Sequence, residues 1–270
     1  VSDEWVRILV CDIAVATGNE NDNTVYLFMA IHKETGERRV ECIYTKSGLN
    51  SMQQVLFMKR WFYEYQAHYF MLDSKGVGNV IFDILTVETI DDEFSRTYPA
   101  WTVCQDKLLQ ISSDGVITDK IVRTMSNNAE EVIIPYAGTS DLNSQMHFAV
   151  RKNLKDNKIS LLKDDHEMQL ILEQDKNWFT KSSTSKAEDM IPFIQTSSMI
   201  KEAIALETKF LDGGGVKLKE AKRTDVKDRY MTLAMANLLS DKIVNKYAQG
   251  DQTPDINFDD WSFLAGCVSE

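Results

Sequence analysis

Two short apolar segments that each end in a single aspartate most constrain how this chain can fold. WVRILVCD closes with Asp12, and YFMLD closes with Asp73. Short, continuous apolar runs are typical of strands that are buried on both faces, and such strands lie inside a sheet rather than at its border. The sequence therefore predicts two central strands, each of which delivers one carboxylate at its end.

The stretch between these aspartates contains two further strands and one helix. TVYLFMAIH (24–32) and RRVECIYT (38–45) are connected by short polar turns, which indicates an antiparallel meander. Ser51 is the predicted N-cap of the long helix that follows. A strand that comes after such a crossover helix returns beside the first strand and parallel to it. We therefore expect a mixed α/β sheet in which Asp12 and Asp73 emerge side by side.

The rest of the chain is predicted to form helices around this sheet and one added hairpin. The segment 225–247 is predicted to be a helix that is apolar nearly all round from Tyr230 to Leu239, as expected for packing against a sheet. Glycines 213–215, between two short polar-flanked runs, indicate a β-hairpin. An acidic tail (251–270) follows a folded domain (1–250). Residues 105–135 fit no single pattern. The other predictions are helices at 80–88, 140–154, 166–179 and 190–207, strands at 98–104 and 158–164, and a polar loop at 181–189.

Asp12 and Asp73 form the centre of the predicted chemistry. Adjacent strands lie roughly 4.7–4.9 Å apart, and carboxylates that close repel each other unless a cation is present. Mg²⁺ and Mn²⁺ are hard cations that take carboxylate oxygens. Asp228, at the start of the last helix, supplies a third acid, and Asp225 lies on the same helical face. Such a set can hold two metal ions about 3.5–4 Å apart and promote in-line phosphoryl displacement.

Each of these acids also has a purely structural interpretation. An aspartate that closes a strand is often a turn former. Asp225 and Asp228 can serve as an N-cap and a first-turn acid that answers the helix dipole. Asp83, inside a helix, is interpreted as structural. The GVG motif (76–78) does not complete a dinucleotide-binding fingerprint.

Other kinds of site find no support in the sequence. The four histidines share no metal-ligand spacing, and the four cysteines lie far apart, which argues against a zinc site or a disulfide framework. Nucleophile motifs and the Walker A phosphate loop are absent from the sequence. No apolar run approaches the roughly 18–20 residues that span a bilayer, so the sequence predicts a soluble protein without a membrane partner.

The charge distribution bears on whether nucleic acid is a partner. The net charge of −11 argues against it, although bound cations would neutralise acids gathered at a metal site. Basic residues are concentrated in one segment, which is either a solvated face or a track for phosphate groups. Within thirteen residues it holds Lys217, Lys219, Lys222, Arg223, Lys227 and Arg229.

Three segments, taken in order, resemble a known family. LVCDIAVATGNENDNTVYLFMAI, FMLDSKGVGNVIFDIL and KDRYMTLAMAN are similar to motifs in the C-terminal nuclease domain of the large terminase subunit of tailed bacteriophages. The resemblance implies a ribonuclease H-like sheet flanked by helices, with Asp12, Asp73 and Asp228 as metal-binding acids. Asp225 matches a position where some members have a further acid or a histidine. The glycine hairpin resembles one that lies near the DNA path in this family.

The function implied by the resemblance is an Mg²⁺- or Mn²⁺-dependent endonuclease with two ions that cuts concatemeric double-stranded viral DNA during packaging. Lys217, Lys219, Arg223, Lys227 and Arg229 would contact DNA phosphates without reading sequence. An upstream ATPase domain, a portal and a small terminase subunit are the implied partners. The host cell cytoplasm, not the mature virion, is the expected location. A Holliday-junction resolvase or transposase-like nuclease of the same fold, or a non-catalytic docking module, stays open as an alternative.

Overall fold

A seven-stranded sheet forms the centre of the computed structural model, which describes residues 4–14, 23–124, 126–210, 216–220 and 227–249. The elements along the chain are β1 (Trp5–Asp12), β2 (Thr24–His32), β3 (Arg38–Lys46), α1 (Ser51–Tyr65), β4 (Tyr69–Asp73), α2 (Val77–Leu85), β5 (Thr89–Asp91), β6 (Arg96–Tyr98), β7 (Trp101–Val103), α3 (Asp114–Arg123), β8 (Glu130–Tyr136), α4 (Ser140–Lys155), β9 (Ile159–Ser160), α5 (Asp165–Leu172), α6 (Lys176–Thr180), α7 (Ser183–Ala205), β10 (Leu206–Phe210), β11 (Val216–Glu220) and α8 (Asp228–Ala248).

The order of the strands in this sheet is β7-β8-β4-β1-β2-β3-β9. β2 runs antiparallel to both of its neighbours, whereas each of the other neighbouring pairs of the sheet is parallel. Helix α1 is the crossover between β3 and β4, and it brings β4 back beside β1 in parallel. The predicted mixed α/β sheet and the predicted position of β4 are therefore confirmed.

Both faces of the sheet are covered by helices, which explains the continuous apolar strands. Leu9 and Cys11 lie in the core beneath α1 and α2, while the alternating residues Ile8 and Val10 lie in the core beneath α4 and α8. Helix α8 is buried along most of its length, including Leu239 and ten other residues. Its nearly uniform apolar surface is therefore confirmed as a packing surface against the sheet.

The cap of α1 differs from the prediction. Asn50, not Ser51, is the N-cap: the Asn50 side chain accepts a hydrogen bond from the Gln53 amide at 2.9 Å. The Gln53 side chain in turn accepts one from the Asn50 amide at 3.0 Å. This reciprocal pair satisfies two amides at the start of the helix, which a serine one residue later cannot do.

Several element boundaries also differ from those predicted. The polar stretch 181–189 is mostly helical, because Ser182 accepts a hydrogen bond from the Ser185 amide and begins α7 at Ser183. The ambiguous stretch 105–135 contains α3 and most of β8. The added hairpin is confirmed as the antiparallel pair of β10 and β11. Glycines 213–215 and the tail 251–270 lie outside the described residues, so the division of the chain at residue 250 stays a prediction.

None of the helices described here is both long and apolar enough to cross a membrane.

Candidate functional site

The ends of β1 and β4 place two carboxylates at the same edge of the sheet. The parallel pairing of these strands extends to Cys11 and Leu72, and the next residues are Asp12 and Asp73. Side chains alternate along a strand, so Asp12 lies on the same face as Val10, and Asp73 lies on the same face as Met71. Val10 and Met71 belong to the core beneath α8. Both carboxylates are thus on the face of the sheet that α8 covers.

Helix α8 brings a third acid towards this edge. Asp228 is the first residue of α8, and the carboxyl groups interact electrostatically. Burial, followed by the negative charges of Asp228 and Asp73, raises the pKa of Asp12 from 3.8 to about 7. The charge of Lys227 lowers this pKa, and that of Glu202 raises it further. Three segments that are far apart in sequence therefore share one electrostatic environment.

The backbone after β4 holds Asp73 in place. The Asp73 carboxylate accepts a hydrogen bond from the Lys75 amide at 3.0 Å, and Ser74 donates through its amide to the Tyr136 carbonyl at 2.7 Å. Burial raises the pKa of Asp73, and the bond from the Lys75 amide opposes this effect. The Asp73 carboxylate is therefore held by the Lys75 amide, and the backbone that follows it is held by β8.

Gly78 explains the GVG motif, whose role was open in the sequence. A Cβ atom on Gly78 would stand 1.8 Å from the Asp73 carbonyl oxygen and 2.8 Å from its carbonyl carbon. Only glycine fits at this distance, because backbone atoms cannot yield as a flexible side chain can. Gly76 supplies the turn, with φ at +56°. The two glycines let α2 begin directly against the backbone of a site residue.

Glu202 near the end of α7 is a fourth acid, which was not predicted from the sequence. It is 7% exposed and lies close enough to Asp12 for its charge to raise the pKa of that group. Glu202 Oε2 accepts a hydrogen bond from the Tyr230 amide at 3.1 Å. A signal existed, because Glu202 follows the buried residues Thr196 and Met199 at intervals of three and so shares their helical face.

The predicted DNA-binding residues lie in different environments. Lys217 and Lys219 are exposed on β11, while Lys227 directly precedes α8. Arg229 donates to Glu202 at 2.5 Å and is only 15% exposed, so its guanidinium is engaged within the protein. Arg223, like Lys222 and Asp225, lies outside the described residues. The role of this basic segment in DNA binding stays a prediction.

A pocket of about 270 Å³ lies next to the start of α8 and carries basic groups. Lys217 and Lys227 line it together with His147, whose pKa is lowered to about 4 by burial and then by the charge of Lys227. His147 is therefore neutral at neutral pH. The basic residues that line this pocket are therefore the two lysines.

The side chains at the site offer the kind of ligand that a hard divalent cation prefers. Asp12, Asp73 and Asp228 offer carboxylate oxygens, and a cation would relieve the repulsion that raises the pKa of Asp12. In the described part of the chain, however, no three acidic, histidine or cysteine side chains stand close enough to hold a metal ion by themselves. Asp83, which was interpreted as structural, forms an ion pair with Arg123 at 3.1 Å.

Solved structures with a similar chain course include nuclease domains of phage terminases. The large terminase nuclease from thermophilic phage G20c with bound magnesium is 14% identical, with 87% of this chain and 82% of that chain covered and a TM-score of 0.46. The nuclease domain of the large terminase subunit gp2 of bacterial virus Sf6 is 11% identical, with coverages of 86% and 87% and a TM-score of 0.46. No protein-family model and no curated protein sequence matches the chain. Because these sequence identities are low, the roles of individual residues are inferred from the geometry of this chain alone.

Proposed function

We propose that this chain is a divalent-metal-dependent endonuclease that cuts concatemeric double-stranded viral DNA during genome packaging. One observation carries the proposal: Asp12, Asp73 and Asp228 come from three separate elements, and the charges of the other two raise the pKa of Asp12 at one sheet edge. Clustered acids whose pKa values are shifted by burial and by each other are typical of functional sites. A basic pocket lies next to the start of α8, where Asp228 stands.

In the proposed mechanism, the three aspartates hold Mg²⁺ or Mn²⁺. The bound metal would activate a water molecule and stabilise the leaving oxygen of the phosphodiester. Asp12 and Asp73 approach from the rigid sheet, which fixes their separation, and Asp228 approaches from α8. Asp225 assists them or orients the attacking water. Lys217, Lys219, Arg223 and Lys227 are proposed to lie along the DNA backbone, where lysines and arginines bind phosphate without reading sequence. Arg229, predicted with them from the sequence, is left out because its guanidinium is paired with Glu202.

The proposal extends to the setting in which the enzyme works. An ATPase domain upstream, a portal and a small terminase subunit would supply the DNA translocation and the site selection that a phosphate-binding surface cannot provide. Cutting would take place in the host cytoplasm before the particle is completed.

The test is digestion of supercoiled plasmid by the purified chain in Mn²⁺, in Mg²⁺ and in EDTA. Asp73→Asn should abolish nicking and linearisation. Asp83→Asn is the matched control, because Asp83 lies on the neighbouring α2 and pairs with Arg123 away from the site. Equal cutting by wild type and Asp73→Asn would contradict the assignment. A strong preference for four-way junctions over linear duplex would point instead to a resolvase.

Crystals soaked in Mn²⁺ give a test that does not depend on activity. We expect anomalous density between the ends of β1 and β4. Density elsewhere, with none at Asp12 and Asp73, would argue against the proposed metal site whatever the plasmid assay shows.

A further inference from the structure

We infer that Glu202 is a positioning residue, which holds the first turn of α8 so that Asp228 faces Asp12 and Asp73. The inference rests on the proposed function, since it assigns a task within that site. Glu202 itself need touch neither metal nor DNA. It acts on the two residues that directly follow Asp228 in the chain.

Both oxygens of the Glu202 carboxylate are used in this way. Oε1 accepts from Arg229 Nη1 at 2.5 Å, and Oε2 accepts from the Tyr230 amide at 3.1 Å. Glu202 is 7% exposed, so water competes little for either bond. A buried carboxylate with two charge-assisted or backbone partners has one available orientation, and it transmits that orientation to its partners.

The start of α8 depends on this outside acceptor. The first amides of a helix have no partner within the helix and are usually satisfied by the side chain of the N-cap residue. Lys227 occupies the N-cap position of α8, and its side chain makes no capping hydrogen bond. Glu202 supplies the missing acceptor from α7, so the position of the first turn is set by the packing of α7 against α8.

Arg229 completes the arrangement as the counter-charge of Glu202. Its Nε donates to the Gln195 side chain at 2.6 Å. Gln195 lies two turns before Glu202 on α7, so the guanidinium binds two residues of that helix. If the Glu202–Arg229 pair only stabilised the fold, apolar residues could replace both partners without loss of Mn²⁺ affinity or cutting. If the pair positions α8, the same replacement would reduce both, because the Tyr230 amide would lose its acceptor.

A set of variants separates these two roles. Glu202→Ala should lower Mn²⁺ affinity and kcat about 10- to 100-fold, the range typical of residues that orient metal ligands, while KM for DNA stays unchanged. It should also lower Tm, because Arg229 is left buried without a counter-charge. Glu202→Gln keeps an acceptor for the Tyr230 amide and should recover part of both the affinity and kcat. Mn²⁺ affinity is read by electron paramagnetic resonance and is independent of cutting.

The decisive variant is the double substitution Glu202→Ala with Arg229→Met. It removes the unpaired charge, so Tm should return towards the wild-type value while Mn²⁺ affinity and kcat remain low. Asp241→Asn is the matched control: it weakens a comparable pair with buried Arg38, formed at 2.6 Å on the same helix, and should lower Tm alone. Recovery of Mn²⁺ affinity together with Tm in the double variant would overturn the inference.

The outcome also distinguishes this inference from the function on which it rests. A wild type that binds no Mn²⁺ and cuts no DNA overturns both. A wild type that does both, with Glu202→Ala equal to it in affinity and kcat, overturns only the role assigned to Glu202.

Discussion

At the scale of single residues, Gly78 shows how closely the site constrains its surroundings. Gly78→Ala would place a methyl group 1.8 Å from the Asp73 carbonyl oxygen, so α2 or the end of β4 must move. We expect a loss of about 1–3 kcal/mol in the free energy of unfolding, as in other overpacked positions, together with loss of DNA cutting. Denaturant titration and the plasmid assay measure the two effects.

The control for this substitution is Gly115→Ala. Gly115 lies in α3, and a Cβ atom there would meet nothing within 4 Å. This variant should be neutral or gain about 0.4–1 kcal/mol, because alanine restricts the unfolded chain. Equal effects of the two substitutions would show that the close approach of α2 to Asp73 is unimportant.

The raised pKa of Asp12 predicts how the metal-free protein responds to pH. Its pKa is about 7 when folded and 3.8 ordinarily, so the folded state binds the proton more tightly than the unfolded state does. The contribution of this group to stability is therefore fully present below about pH 4 and is lost as the pH rises through about 7. Asp12→Asn should remove this part of the pH dependence, measured by denaturant titration in EDTA. An unchanged slope between pH 4 and 7 would contradict the raised pKa of Asp12.

At the scale of elements, the cap of α1 offers a direct comparison between two neighbouring residues. Asn50→Ala should cost about 0.5–2 kcal/mol, because it removes the acceptor for the Gln53 amide and with it the reciprocal pair. Ser51→Ala, at the position that the sequence suggested, should have little effect. Thermal denaturation of the two variants decides between them, and a larger loss at Ser51 would contradict the observed cap.

Some of the elements could be predicted from the sequence, and others could not. Strands β1 and β4 were predictable because a buried strand is a local pattern. Helix α3 was not predictable, because two of its residues have the opposite burial to the one their polarity suggests. Lys120 is buried with its ammonium bonded to Asn79, whereas Val122 is 79% exposed. Strand β8 carries Pro135 in the interior of the sheet, where proline ordinarily argues against a strand.

The candidate site also contains residues that could be predicted from the sequence and one that could not. Asp12, Asp73 and Asp228 stand at the ends of elements, and the end of an element can be recognised from neighbouring residues. The hydrogen bond between Glu202 and the amide of Tyr230 joins residues 28 positions apart. It depends on how α7 packs against α8, and no pattern within either helix determines that packing.

At the scale of the whole molecule, DNA binding must overcome a net charge of −11. The exposed lysines of β11 are proposed to provide local attraction, so replacing Lys217 and Lys219 by alanine should weaken DNA binding equally for all sequences. The slope of log Kd against log salt concentration should fall by about 0.9 for each DNA phosphate that the variant no longer neutralises. Fluorescence anisotropy at several salt concentrations, in Ca²⁺ to suppress cutting, measures both effects.

Lysines at the opposite edge of the sheet serve as the control for that experiment. Lys33 follows β2 and Lys158 precedes β9, and both lie at the edge where β1 begins rather than where it ends. Replacing them by alanine removes the same charge and should leave the salt dependence unchanged. An equal loss of affinity from either pair would mean that the hairpin has no special role.

The separation of the three aspartates along the chain has a consequence for the timing of synthesis. Asp12 and Asp73 are made before Asp228, which arrives only when α8 leaves the ribosome, and α8 must then pack across strands that are already paired. Chains fold progressively as they are made. With the proposed function, a growing chain that lacks α8 would be unable to damage nearby genomes, and cutting competence would appear in one step when α8 packs against the sheet.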